Sequence, residues 1–134
     1  MKKYLLFISV LTISVLGCGQ NNSEDKNSGE KPEMIFEEAD FNYGAIEYGG
    51  DGTHEFVFKN TGKVPLIIKR VDSSCGCTTP EWSKEPIKPK DKGKIVVKYD
   101  TKRIGSFIKS VKIYSNAKNS PVELIIRGEV KAAD

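Results

Sequence analysis

THEFVFK, residues 53–59, places Phe56 and Phe58 on one side of an extended chain and Glu55 and Lys59 on the other. Successive side chains of a strand point to opposite faces, so this alternation marks a strand with one face buried. The pattern recurs downstream. Lys94–Tyr99 aligns Ile95, Val97 and Tyr99 against Lys94 and Lys98, and 121–130 aligns Val122, Leu124 and Ile126 against Glu123, Arg127 and Glu129. Residues 64–71 and 106–114 are also β-rich, with a less regular alternation. The unbroken run Leu66-Ile67-Ile68 suggests a strand covered on both sides or one near a sheet crossing. Asn, Gly, Ser and Lys fill the intervening stretches 60–63, 100–105 and 115–120, which is the chemistry of turns. No apolar stripe of helical period extends over three turns. These features predict an all-β domain over residues 34–134, an immunoglobulin-like antiparallel β-sandwich of about seven strands, with a small barrel as the alternative. The antibody-domain pattern of two distant cysteines with a tryptophan between them is absent.

Upstream of the strands the composition changes twice. Lys2 and Lys3 precede the apolar run Tyr4–Leu16, which as a helix reaches roughly 20 Å, short of the ~30 Å hydrocarbon core. Residues 1–17 therefore read as a signal peptide rather than a membrane span. The run ends in Val15-Leu16-Gly17-Cys18, which resembles a bacterial lipobox. That resemblance implies cleavage before Cys18 and two or three acyl chains, palmitate among them, on its sulfur and new amino terminus. At roughly 0.8 kcal/mol per buried CH₂, two or more chains hold a protein firmly to a membrane. Residues 19–33, GQNNSEDKNSGEKPE, contain no aliphatic or aromatic side chain, so 18–33 reads as a lipidated cysteine with a disordered linker. As a flexible coil the linker spans about 20 Å. The expected location is the bacterial cell envelope. Gly19, rather than Asp, after Cys18 favours the outer membrane over the inner if proteobacterial sorting rules apply.

The formal charge of +3 falls to about +1 once Lys2 and Lys3 are removed, which gives no footprint for nucleic acid. The Lys84–Lys94 stretch (KEPIKPKDKGK) carries interleaved Glu85 and Asp91 and reads as a solvated loop. The glycines form no phosphate loop, and the lone histidine, His54, has no nucleophile turn near it. Glu37, Glu38 and Asp40 read as solvated acids beside the linker. No catalytic residue and no cofactor are expected.

A family resemblance covers roughly residues 34–130. Phe41-x-Tyr43-Gly44, Phe58-Lys-Asn60-Thr-Gly62, Pro65-Leu-Ile67 and Ser74-Cys-Gly-Cys-Thr78, followed by Pro89, Lys94–Asp100, Gly105, Ser115-Asn116 and Gly128, resemble the bacterial "domain of unknown function 1573" family. The resemblance implies an immunoglobulin-like fold, related to sandwich domains of ciliary and sperm-protein scaffolds, and frequent attachment to lipoproteins. It implies no activity.

Cys75-Gly76-Cys77 is the chemically distinctive part of that motif. In a fully extended strand the two Cα atoms would lie roughly 6.6–7.2 Å apart, whereas a disulfide prefers about 5.5–6 Å. A bridge therefore requires a bend, which Gly76 permits. In an oxidising compartment two neighbouring thiols tend to pair. The small loop removes little chain entropy, which leaves room for redox chemistry as well as a structural fastening. Four-ligand zinc would need more than Cys75, Cys77 and His54, while copper(I) could accept the two thiolates. A structural disulfide or family-specific turn, a reversible redox pair, a soft-metal site and buried thiols all remain open. Trp82 reads as a lid over the sandwich end and as a candidate contact anchor beside the cysteines. The leading expectation is an envelope lipoprotein with a non-catalytic interaction module, bound to the membrane through Cys18 and to an envelope protein through a strand edge or end loops. The alternative is a periplasmic thiol–disulfide or copper-handling protein.

Overall fold

Eight strands form in chain order: β1 (Met34–Phe36), β2 (Asp40–Glu47), β3 (Thr53–Asn60), β4 (Ile68–Ser73), β5 (Thr78–Trp82), β6 (Lys92–Tyr99), β7 (Gly105–Ser115) and β8 (Val122–Lys131). The computed structural model describes residues 30–134, so the proposed signal peptide, Cys18 and the linker up to residue 29 lie outside the described residues. The strands make two four-stranded sheets, sheet A in the order β1-β3-β6-β5 and sheet B in the order β2-β8-β7-β4. No helix is present among the described residues, and the all-β sandwich expected from the sequence is observed.

The alternating stretches become the central strands. Phe56 and Phe58 of β3, Ile95 and Val97 of β6, Val111 and Ile113 of β7 and Leu124 and Ile126 of β8 are almost fully buried between the sheets. Each contributes roughly 1.5–3 kcal/mol of hydrophobic burial. Gly93 lets β6 approach closely, because a Cβ there would stand 2.5 Å from the Phe58 ring.

Two features depart from the expectation. The strand count is eight, since the three-residue β1 and the five-residue β5 are too short to show a period. The sheets are also not wholly antiparallel: β2 runs parallel to β8. The cause is a single N-terminal stretch that serves both layers. As β1 it pairs antiparallel with β3, then crosses at residues 37–39 and continues as β2 beside β8. The run Leu66-Ile67-Ile68 is a second crossing. Leu66 bridges to Ile87, whereas Ile68 opens β4 in sheet B. Leu66 and Ile68 are buried while Ile67 is 44% exposed.

Asn60 organises the end of the sandwich. Fully buried, its side chain donates to the carbonyls of Val64 (2.8 Å) and Ile87 (3.0 Å) and accepts from the amide of Gly62 (3.0 Å). These bonds explain Asn in the Asn60-Thr61-Gly62 turn, where three loops need one saturated polar group. Residues 31–33, assigned to the linker by composition, lie against this turn. Pro32 is buried, its carbonyl accepts from Lys118 (2.9 Å), and the carbonyl of Glu33 accepts from Thr61 (3.0 Å).

Candidate functional site

The Cys-Gly-Cys segment lies in the connection from β4 to β5, where the chain passes from the edge of sheet B to the edge of sheet A. It forms a turn rather than the extended strand used to judge its geometry. The Cα atoms of Cys75 and Cys77 are 5.3 Å apart and the two sulfurs are joined as a disulfide. Main-chain and serine contacts fix this crossover on every side. Ser73 Oγ donates to the Cys75 carbonyl (2.9 Å), which also accepts from the Thr78 amide (3.2 Å). Ser74 exchanges bonds with Ser110 of β7: its amide donates to the Ser110 carbonyl (2.9 Å), and its Oγ accepts from the Ser110 amide (3.0 Å). The Asp100 amide donates to the Cys77 carbonyl (2.8 Å), tying the turn to β6.

The two cysteines are not equivalent. Cys77 is buried in the core, and Cys75 is half-buried. The Cys77 amide donates to Cys75 Sγ at 3.0 Å. A shallow hollow of about 300 Å³ lies alongside, lined by Gly76, Cys77, Thr79, Lys98, Tyr99 and Asp100.

The other candidate residues are distributed elsewhere. Trp82 ends β5 opposite Ile95, whereas Thr78 at the start of β5 lies beside the cysteine turn. Four residues of strand, about 13 Å, separate them, so Trp82 is not a shield over the cysteines. It packs against the core and lines a different hollow with Ile87, Gly93 and Val96. Lys84 sits over the Trp82 ring, 3.5 Å from its centroid, which places it with Trp82 and not beside the thiols. Lys84–Lys94 is mostly exposed, as a solvated stretch should be, although its last three residues belong to β6; Lys92 pairs with Glu37 and Lys94 with Glu55 at the surface, both at 2.7 Å. The acids near the linker are partnered too. Glu38 reaches His54 Nε2 at 2.7 Å, and Asp40 pairs with Arg127. His54 stacks on Phe41 and belongs to β3, separated from β5 by β6. Among the described residues no group of three His, Cys, Asp or Glu side chains could hold a metal ion.

The strand edges, only generically foreseen, divide into closed and open. On β1, the side chain of Met34 is buried in the core while its backbone amide and carbonyl point away from β3, and the Asn119 side chain satisfies that amide (3.1 Å) and carbonyl (2.7 Å). The β2 edge is broken by a bulge between Asn42 and Ala45, where Asn42 Oδ1 accepts the Gly44 amide (2.9 Å). On β5 the bond from Asp100 to Cys77 sets the alternation, so the backbone groups of Thr78, Pro80 and Trp82 point away from the sheet. Thr78 spends its amide on Cys75 within the turn, and Pro80 has none. β4 differs. The Ser74 amide bonds to β7, so the backbone groups of Val71 and Ser73 point away from the sheet, and no partner for them occurs among the described residues. No sequence motif marks this edge, because it depends on which neighbour each strand takes.

Comparison with solved structures supports the fold alone, since every identity is low. A protein of unknown function from Porphyromonas gingivalis W83 aligns over 81% of this chain and 51% of its own, with TM-score 0.68 and 16% identity. This chain thus spans about half the length of that protein. The seventh PapD-like domain of human CEP192 aligns over 98% of this chain and all of its own, with TM-score 0.65 and 7% identity. The CsuC–CsuE chaperone–adhesion subunit complex of Acinetobacter baumannii aligns over 73% of this chain and 57% of the matched chain, with TM-score 0.52 and 11% identity. A comparison with curated proteins finds no match. A family model described as "Protein of unknown function (DUF1573)" matches residues 34–130, which is the whole sandwich except the end of β8. With most of its length matched, the chain belongs to the DUF1573 family.

Proposed function

We propose that this immunoglobulin-like, PapD-like domain is a non-catalytic interaction module held at the bacterial envelope by lipid on Cys18. The observation that carries the non-catalytic reading is the use made of the cysteine pair. It fastens the crossover between the two sheets, with Cys77 packed into the core and the Cys75 carbonyl taken by two donors. The lipid-anchor reading is supported by the basic start, the apolar run and Val15-Leu16-Gly17-Cys18. The test is expression of the full chain in bacteria fed labelled palmitate. Label should enter the wild type and be lost in Cys18→Ser, with the variant leaving the membrane fraction. An unlabelled wild type would remove the anchor, and robust turnover of a disulfide substrate by the purified protein would remove the non-catalytic assignment.

A second reading, thiol–disulfide exchange at the same pair, has one contact on its side. The Cys77 amide aimed at Cys75 Sγ would stabilise a Cys75 thiolate. In that step a partner thiolate attacks Cys75 Sγ and Cys77 leaves as the thiolate. The partner's second thiol then displaces Cys75, so the partner ends as a disulfide and both cysteines as thiols. Titration against a glutathione series separates the readings. Cycling near about −200 mV supports exchange, and resistance below about −300 mV supports the fastening.

A further inference from the structure

We infer that the open edge of β4 pairs with the β4 edge of a second copy of this chain, in antiparallel register about Val71, joining two B sheets into one eight-stranded sheet. The sandwich has four strand edges, and three carry identifiable closures: Asn119 on β1, the Asn42–Gly44 bulge on β2, and Pro80 with the turn-bonded Thr78 amide on β5. Natural sheets protect their edges by such devices. β4 has a bulge between Ile68 and Arg70, but from Arg70 to Ser73 its register with β7 is regular. That regular half presents the outward amides and carbonyls of Val71 and Ser73.

The sequence of the edge favours a second copy over an unrelated strand. Antiparallel pairing centred on Val71 places Arg70 opposite Asp72 of the second copy, and Asp72 opposite its Arg70. Lys69 then meets Ser73, so no like charges face one another. The two Val71 residues exchange amide-to-carbonyl bonds across the two-fold axis, as an isologous contact requires. Centring on Arg70, Asp72 or Lys69 instead would set like charges directly opposite, which is destabilising. The charges are already held in place. Arg70 Nε lies 2.9 Å from Asp72 Oδ2 on the outer face of the sheet, and the guanidinium sits 4.1 Å from the Tyr114 ring centroid. The pairing would convert two separate ion pairs into a four-charge network.

The test is the self-association of the full-length protein, in detergent where it carries acyl chains, followed by sedimentation at increasing protein concentration. Wild type should form a dimer, and Arg70→Asp should weaken it at least tenfold. The double exchange Arg70→Asp with Asp72→Arg recreates the complementary pattern and should restore association to within threefold. Hydrogen exchange at the Val71 and Ser73 amides should slow as protein concentration rises in the wild type, and not in Arg70→Asp. A wild type that stays monomeric, or a double exchange that stays as weak as the single variant, would overturn the proposal. So would β4 amides that become protected only when another envelope protein is added.

Discussion

Asn60 at the end of β3 donates from its side-chain amide to the carbonyl of Ile87, 27 residues later, at 3.0 Å. The same nitrogen serves Val64 and the side-chain oxygen serves Gly62, all in a fully buried position. Replacing Asn60 with alanine would leave these groups buried without partners, at about 1–3 kcal/mol for an unsatisfied group. Asn60→Ala should therefore lower stability by at least about 2 kcal/mol in urea unfolding, and Asn60→Asp, which cannot donate to the two carbonyls, should be no better.

Tyr43 donates its phenolic hydrogen to the carbonyl of Gly52 at 2.8 Å. Burial, with the nearby Asp51 carboxylate, pushes its pKa up to about 12. A raised folded-state pKa stabilises fully below the unfolded value near 10, and that stabilisation fades as pH rises through 12. The protein should lose stability between about pH 10 and 12. Tyr43→Phe should remove that part of the alkaline slope at the cost of one hydrogen bond, about 1 kcal/mol, at neutral pH. Thermal melts of both proteins across this range test the sign.

If the cysteine pair is a fastening, replacing both Cys75 and Cys77 by alanine should cost about 1–3 kcal/mol. The very short loop contributes only about 1.5 kcal/mol through unfolded-chain entropy, and lost packing of the buried Cys77 adds to it. Denaturant unfolding of wild type and variant reads the difference. A loss above about 5 kcal/mol would show that the pair supports more of the fold than chain entropy and the packing of Cys77 account for.

Gly93→Ala should destabilise by about 1–3 kcal/mol, because its methyl group would enter the space of the Phe58 ring. The companion change Phe58→Leu, which removes that ring, should make the Gly93→Ala effect smaller in a double-mutant cycle.

The central strands were legible because each is long enough for a period of two to show against turn-forming flanks. β3 and β6 carry eight residues each, with alternate side chains buried. β1 and β5 offered three and five residues, one of them Pro80, and no period emerges over so short a span. The parallel β2–β8 pair was not legible either, since pairing partners are set by tertiary packing. The bend at Gly76 that a bridge requires was legible, but the bonds that tie the turn to β6 and β7 were not. Trp82 and Lys84 follow the cysteines closely in sequence, yet the direction of β5 carries them to its far end. Proximity along a strand is not proximity in space.

The N-terminal stretch that serves both layers has a kinetic consequence. β2 begins at residue 40 and its one sheet neighbour among the described residues, β8, begins at residue 122, so sheet B cannot be completed until the chain as far as residue 131 is available. Pairings of such long sequence separation are slow, because the loop must close before any contact rewards it. Until β8 arrives, β2 has no neighbour and β7 has only β4. Removing the ten residues of β8 would therefore strip sheet B of its second strand and strand the first, rather than merely shorten the protein.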